Sequence, residues 1–219
     1  MQQLDAQFIA PQSGKARQLV IFLHGYGANG ADLLDIGEQW APSLPDCAFE
    51  APDAPDVCEQ NAAGFQWFSI RALDPVTFER DKSAAKVAPV LNAYIDAALA
   101  KWGVDESQLV VAGFSQGAMM AMYTMPRRPK ACAGVIGYSG MIINADGLKQ
   151  PGIVKMPILA IHGDQDAIVP PSNLAKIETG FTAAGFNVET AMRPGLTHNI
   201  DHFGLTRGLD FSRESFEKA

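Results

Sequence analysis

Gly113-Phe114-Ser115-Gln116-Gly117 contains the residue types that can turn an alcohol into a nucleophile. A serine on a sharp turn projects freely only if its flanks carry no side chain to crowd the preceding strand against the following helix. An alcohol is weak at neutral pH and needs a base, which a third group must orient. Four histidines are available, His24, His162, His198 and His202. Asp166 lies 51 residues after Ser115, within His162-Gly163-Asp164-Gln165-Asp166, and His198 lies 32 residues after Asp166. Each interval has room for a strand and a helix, so the order Ser, Asp, His can place the three at successive strand ends. Asp164 is the rival acid. Sitting one residue past Gly163, it fits better as a brace for that loop, and Asp166 is favoured. A plain N-cap serine after an ordinary strand is the bland alternative for Ser115.

His198, Asp201 and His202 also spell H-x-x-D-H, loosely like two metal ligands one helical turn apart. That pattern needs a glutamate base and a third ligand, and neither is spaced to match. His202 therefore reads as a helix-surface or packing residue, and no metal is expected. The tetrahedral charge of an attack by Ser115 needs backbone donors. One is the N–H of Gln116, which follows the nucleophile at a helix start. The second should come from the loop Phe22-Leu23-His24-Gly25-Tyr26-Gly27-Ala28-Asn29-Gly30, whose glycines allow close approach of the backbone. Phosphate binding by this loop is disfavoured, because the Lys-Ser/Thr ending of a P-loop and the dinucleotide spacing are both missing.

Positioning these residues requires a mostly parallel sheet wrapped by helices. Strands are predicted at Gln18–His24, Cys47–Ala51, Leu109–Phe114, Gly134–Tyr138, Ile158–His162 and Phe186–Met192. Leu109–Phe114 and Ile158–Ile161 lack polar alternation, as strands covered on both faces should. Phe186, Val188 and Met192 alternate with polar residues, as an outer strand would. Val87, Val90, Leu91, Tyr94, Ile95, Ala98, Leu99 and Trp102 keep helical spacing up to Gly103. Pro89 predicts a helix that starts near it or kinks there. A second helix is expected from an N-cap at Ser172, with Leu174, Ile177 and Phe181 inward and a stop at Gly185. Helices also fit Ala31–Ala41, Gln116–Met125 and Asn199–Glu217. The fold class is α/β, as one domain over residues 1–219.

At 219 residues, with 47% hydrophobic and 19% charged residues, the chain can bury a full core and is not a disordered one. It has no apolar run long enough for a membrane span and no signal-peptide pattern. A net charge of −7 argues against nucleic acid and anionic membrane as partners. Three cysteines, Cys47, Cys58 and Cys132, are an odd number without metal spacing and point to a reducing, cytoplasmic setting.

Leu23-His24-Gly25-Tyr26-Gly27-Ala28-Asn29-Gly30-Ala31-Asp32-Leu33, Gln66-Trp67-Phe68, the Ser115 pentapeptide and His162 through Pro170 together resemble the phospholipase/carboxylesterase group of α/β-hydrolases, which includes the acyl-protein thioesterases. The resemblance covers nearly the whole chain. It implies a serine esterase without a large cap domain or cofactor, acting on a small-molecule or lipid-like acyl ester or thioester. It also implies Ser115 as nucleophile, Asp166 as acid, His198 as base, and Leu23 and Gln116 as oxyanion donors. Thr197 departs from the glycine that the family often places before the histidine. Trp67, Phe68, Leu73 and Val76, in an apolar stretch from Gly64 to Phe78, are candidate walls of an acyl groove; covering one face of the sheet is the alternative. Met119, Met120, Met122 and Met125 fit core filling better than an acyl pocket. Arg127-Arg128-Pro129-Lys130 fits a solvated loop better than an anionic head-group site. Acyl transfer or amide hydrolysis on the same site is the alternative reaction, and a non-catalytic ligand receptor is disfavoured by the intact trio. A homodimer is left open.

Overall fold

The computed structural model describes residues 3–70 and 77–218, with the side chains of 77–79 outside that description. Seven strands form the main sheet: β1 (Ala6–Ile9), β2 (Gln18–Leu23), β3 (Cys47–Pro52), β6 (Leu109–Phe114), β7 (Gly134–Tyr138), β8 (Ile158–Gly163) and β9 (Val188–Arg193). Their order is β1-β3-β2-β6-β7-β8-β9, and every pair is parallel except the antiparallel β1 and β3. A separate hairpin pairs β4 (Asp56–Val57) with β5 (Phe65–Gln66).

The uninterrupted apolar runs become central strands because helices cover both of their faces. Along β2, Leu19, Ile21 and Leu23 face α2 (Thr77–Trp102), α3 (Gln116–Thr124) and α4 (Ser172–Ala183). Val20 and Phe22 face α1 (Ala31–Trp40) and α5 (His202–Glu217). β9 lies at the sheet edge with no fully buried residue, as its alternation predicts. Phe186 falls before that strand and packs edge-on against Phe181 with ring centroids 5.0 Å apart. The strand β1 was not expected. Its four residues are mostly exposed and too few to show a period.

α2 runs through Pro89 instead of starting beside it. Pro89 is exposed, on the side of the helix away from the sheet, where its missing N–H leaves a carbonyl open to water. Gly103 ends the helix at φ +67°, and its N–H returns to the Leu99 carbonyl. Buried Glu50 on β3 ties this helix to the sheet. It accepts hydrogen bonds from the Tyr94 hydroxyl, Lys101 Nζ at 2.5 Å and Trp102 Nε1 at 2.8 Å. A carboxylate so deep in the fold must be paired, or its desolvation would cost several kcal/mol. The methionines at 119, 120, 122 and 125 are all buried in the core, as expected.

Two local expectations are corrected. Ser172 is the first residue of α4, and Pro171 occupies the cap position without a side-chain bond. Arg128 does not lie in a solvated loop. Its side chain is 2% exposed and bonds Asp96 at 2.7 Å and the Asn92 side chain at 3.1 Å. These partners lie a helix away along the chain, so local composition could not reveal them.

Candidate active site

Ser115 joins the end of β6 to the start of α3 at φ +53°, ψ −114°. That region is sparsely populated for a residue with a side chain and costs about 1–3 kcal/mol. The surroundings enforce it. A Cβ on Gly117 would stand 1.9 Å from the Leu23 carbonyl oxygen, and one on Gly113 would stand 2.4 Å from the Gly117 carbonyl carbon. Only glycines let the helix start lie this close to the sheet, and this is the steric reason for the pentapeptide. The Ser115 N–H donates to the Tyr138 carbonyl at 2.8 Å, which fixes the turn to β7.

Asp166 and His198 meet as the spacing requires, with His198 Nδ1 2.7 Å from Asp166 Oδ2. The other carboxylate oxygen accepts the N–H groups of Ile168 at 2.9 Å and Val169 at 2.8 Å. Burial alone would raise the Asp166 carboxyl. The hydrogen bond from His198 and the amides of Val169 and Ile168 outweigh it and hold the group below the usual carboxylate range. A carboxylate can only accept, so the shared proton sits on His198 Nδ1 and leaves Nε2 with a free lone pair. The His198 ring packs against Phe114, centroids 4.8 Å apart, beside Ser115. No hydrogen bond joins the Ser115 hydroxyl to His198 in this structure. Asp164 is a brace, as favoured: its Oδ1 accepts the Gly195 N–H at 2.7 Å. The stretch before His198 crosses directly over Gly163, where a Cβ would meet the Leu196 carbonyl oxygen at 2.1 Å. Thr197 is accommodated there and accepts the Asn199 N–H at 2.8 Å.

His198 lies in this loop and not on α5, whose first residue is the exposed His202, capped by Asp201. The H-x-x-D-H spacing therefore does not place two histidines on one helical face. His24 is fully buried. Its Nε2 accepts the Ala54 N–H at 2.9 Å and its Nδ1 donates to the Gly25 carbonyl at 2.7 Å. Burial lowers its basicity, so it stays neutral and ties two loops together. His162 was passed over in the sequence as the end of a strand. Its Nε2 donates to the Val169 carbonyl at 2.8 Å and lies 3.3 Å from Asp166 Oδ2, so the ring packs against the acid and holds the turn around it.

The expected oxyanion donors differ in placement. Gln116 opens α3 next to the serine. Leu23 lies inside the sheet, fully buried and in register with Gly113, with its carbonyl against Gly117. It is the last residue of the strand, and in the loop that follows a Cβ at Gly25 would stand 3.4 Å from Ser115 Cβ. Among the described residues, the Tyr26 and Gln116 amides have no hydrogen-bond partner. Trp67 and Phe68, expected to wall an acyl groove, are 0% and 4% exposed and belong to the core behind the site. Leu73 and Val76 lie outside the described residues. A cleft of about 970 Å³ between α4 and the turn after β7 includes Met141, Ile142 and Lys176 but none of Ser115, Asp166 or His198.

The depressed Asp166 also predicts a pH dependence. A carboxyl lowered by folding stabilises the native state fully above its unfolded value, near 3.9, and loses that contribution as pH falls through the folded value. Asp201 is lowered too: burial opposes, but the Gly204 amide and Arg193 prevail. The urea midpoint should fall as pH drops below about 5, and the fall should be shallower in Asp166→Asn. An equal slope in the variant would remove Asp166 as a cause.

The model of the phospholipase/carboxylesterase family matches residues 4–214. Esterase YpfH of Escherichia coli (strain K12) is 27% identical over 207 residues, covering 93% of this chain and 85% of its own. Acyl-protein thioesterase 1 of Saccharomyces cerevisiae is 32% identical over 177 residues, covering 74% of this chain and 76% of its own. The crystal structure of esterase PE8 superposes with a TM-score of 0.93 at 36% identity, covering 97% of this chain and 99% of that one.

Proposed function

Because the chain belongs to the phospholipase/carboxylesterase family and is thus a carboxylic-ester hydrolase, we propose that it works through Ser115, His198 and Asp166 and an acyl-enzyme intermediate. The observation that carries this reading is the 2.7 Å bond from His198 Nδ1 to the buried Asp166, beside a serine held on a strained elbow. His198 Nε2 takes the proton from Ser115 Oγ as the oxygen attacks the acyl carbonyl. The imidazolium then gives it to the leaving group, and water repeats the cycle on the acyl-enzyme. Hydrogen bonds of this kind are often long until substrate binds, which fits the absence of a Ser115–His198 bond.

The developing oxyanion is held by the Gln116 N–H at the helix start and by the Tyr26 N–H in place of Leu23. Both amides are unpartnered among the described residues and flank the serine. The substrate is a small or lipid-like acyl ester or thioester, met in the cytoplasm. Three unpaired buried thiols suit a reducing compartment, and no described helix is long and apolar enough to cross a membrane.

A fluorophosphonate probe should label Ser115, as read by mass spectrometry of the peptide; labelling elsewhere, or none, would sink this reading. On unlabelled enzyme, kcat/KM over esters of rising acyl length sets the substrate class. Each methylene that becomes buried is worth about 0.8 kcal/mol, or about fourfold. Growth through long chains indicates a lipid or acyl-protein substrate, and a plateau at two to four carbons indicates small esters.

A further inference from the structure

Gln116 is 2% exposed, and its side chain is engaged at both ends. Oε1 accepts the Trp67 N–H at 2.8 Å, and Nε2 donates to the Phe68 carbonyl at 2.7 Å. A buried primary amide needs partners, but two consecutive backbone groups from a segment 48 and 49 residues away are a specific choice. That same segment holds the loop opposite. Trp67 Nε1 donates to the His24 carbonyl at 2.9 Å. The Gly27 N–H donates to the Phe65 carbonyl at 2.9 Å, and the Phe65 N–H returns to the Ala28 carbonyl at 2.8 Å. Glu59 adds a second brace, accepting from the Tyr26 hydroxyl and from the Ile70 N–H, each at 3.1 Å.

Residues 65–70 therefore touch the nucleophile helix through the Gln116 side chain, and the glycine loop through two backbone groups of Phe65 and the Trp67 indole. Nothing else described joins Gln116 to residues 24–28 by hydrogen bonds. We propose that the Gln116 side chain, acting through Trp67, is a positioning group that sets the separation of the two oxyanion donors, the amides of Gln116 and Tyr26. The proposal rests on the Ser115 reading above. It reassigns Trp67 from a substrate wall to the link between the two halves of the hole. Catalysis of this type depends on donors fixed before charge develops, so a loosened link weakens transition-state binding and leaves ground-state binding almost intact.

Two variants test this. Gln116→Met keeps the backbone N–H and the side-chain length but removes both amide bonds. Trp67→Phe keeps an aromatic core residue and removes only the bond to His24. For each, kcat and KM are measured on p-nitrophenyl butyrate, alongside the inhibition constant of an alkyl trifluoromethyl ketone, which forms an oxyanionic adduct with the serine. Gln116→Met should lower kcat by about 10²-fold, as losing a donor does, and Trp67→Phe should lower it less. KM should stay within about threefold, and ketone affinity should fall in parallel with kcat.

A fall in ketone affinity no larger than the change in KM would overturn the proposal. So would a kcat within about threefold of wild type, or activity that merely follows the folded fraction by near-ultraviolet circular dichroism. If Gln116→Met does not fold, Trp67→Phe decides by the same criteria. Failure of the wild type to form the ketone adduct at Ser115 would instead remove the Ser115 reading, and this inference with it.

Discussion

Ser115→Ala should lower turnover of any ester by about 10⁶-fold, equivalent to about 8 kcal/mol of transition-state stabilisation. Alanine keeps the Cβ and the backbone conformation that Gly113 and Gly117 impose, so the elbow stays formed and only Oγ is lost. The effect is this large because His198 and Asp166 have nothing to act on without the hydroxyl. Members of such a trio fail together and not by independent steps. Single-turnover and steady-state assays with the folded variant check it, with thermal melting to show the fold unchanged. Turnover within tenfold of wild type would mean that the nucleophile lies elsewhere.

Asp166→Asn should cost about 10⁴ in kcat, with little loss of structure. An asparagine at 166 can still accept the Ile168 and Val169 amides through its carbonyl oxygen, so the turn that holds it survives. Facing His198 Nδ1, however, it presents N–H groups. The imidazole must then carry its proton on Nε2, the nitrogen that has to take one from Ser115. Asp164→Asn is the control. The bond its side chain accepts, from the Gly195 N–H, needs only an acceptor, which asparagine keeps. Its kcat should stay within about fivefold of wild type. The reverse ranking would exchange the roles of the two acids.

Some of this was legible in the sequence because the constraint is local. The pentapeptide shows the elbow, since its glycines are a steric requirement that no other residue meets. The central strands show themselves because burial on both faces removes polar alternation. Asp166 is separable from Asp164 because a residue next to a turn glycine serves the turn. The glycine loop was placed, but the amide within it that serves as donor was not. Leu23 was named as a donor on the resemblance, yet the strand predicted over Gln18–His24 already contains it, and the structure pairs it with Gly113. Trp67 and Phe68 were left between groove wall and sheet cover, because an apolar segment looks the same whether it faces a ligand or a core. The core they enter is built from strands and helices elsewhere in the chain, and their bonds run to Gln116 and His24, far away in sequence. Arg128 is the same case with charge: its acids come from other helices. Pro89 signalled a helix start or a kink because the sequence does not reveal that its face points to water.

The stretch between β3 and α2 bears on how this scaffold can be remodelled. It leaves the sheet, so it looks like a detachable cassette that could be exchanged for that of a relative to change substrate preference. Residues 65–70 are bolted to the nucleophile helix and to the glycine loop at once. A transplant of this stretch would carry the tuning of the catalytic machinery with it. A graft that ignores the partners at 24, 27, 28 and 116 should yield an enzyme impaired on every substrate, not one with a new preference.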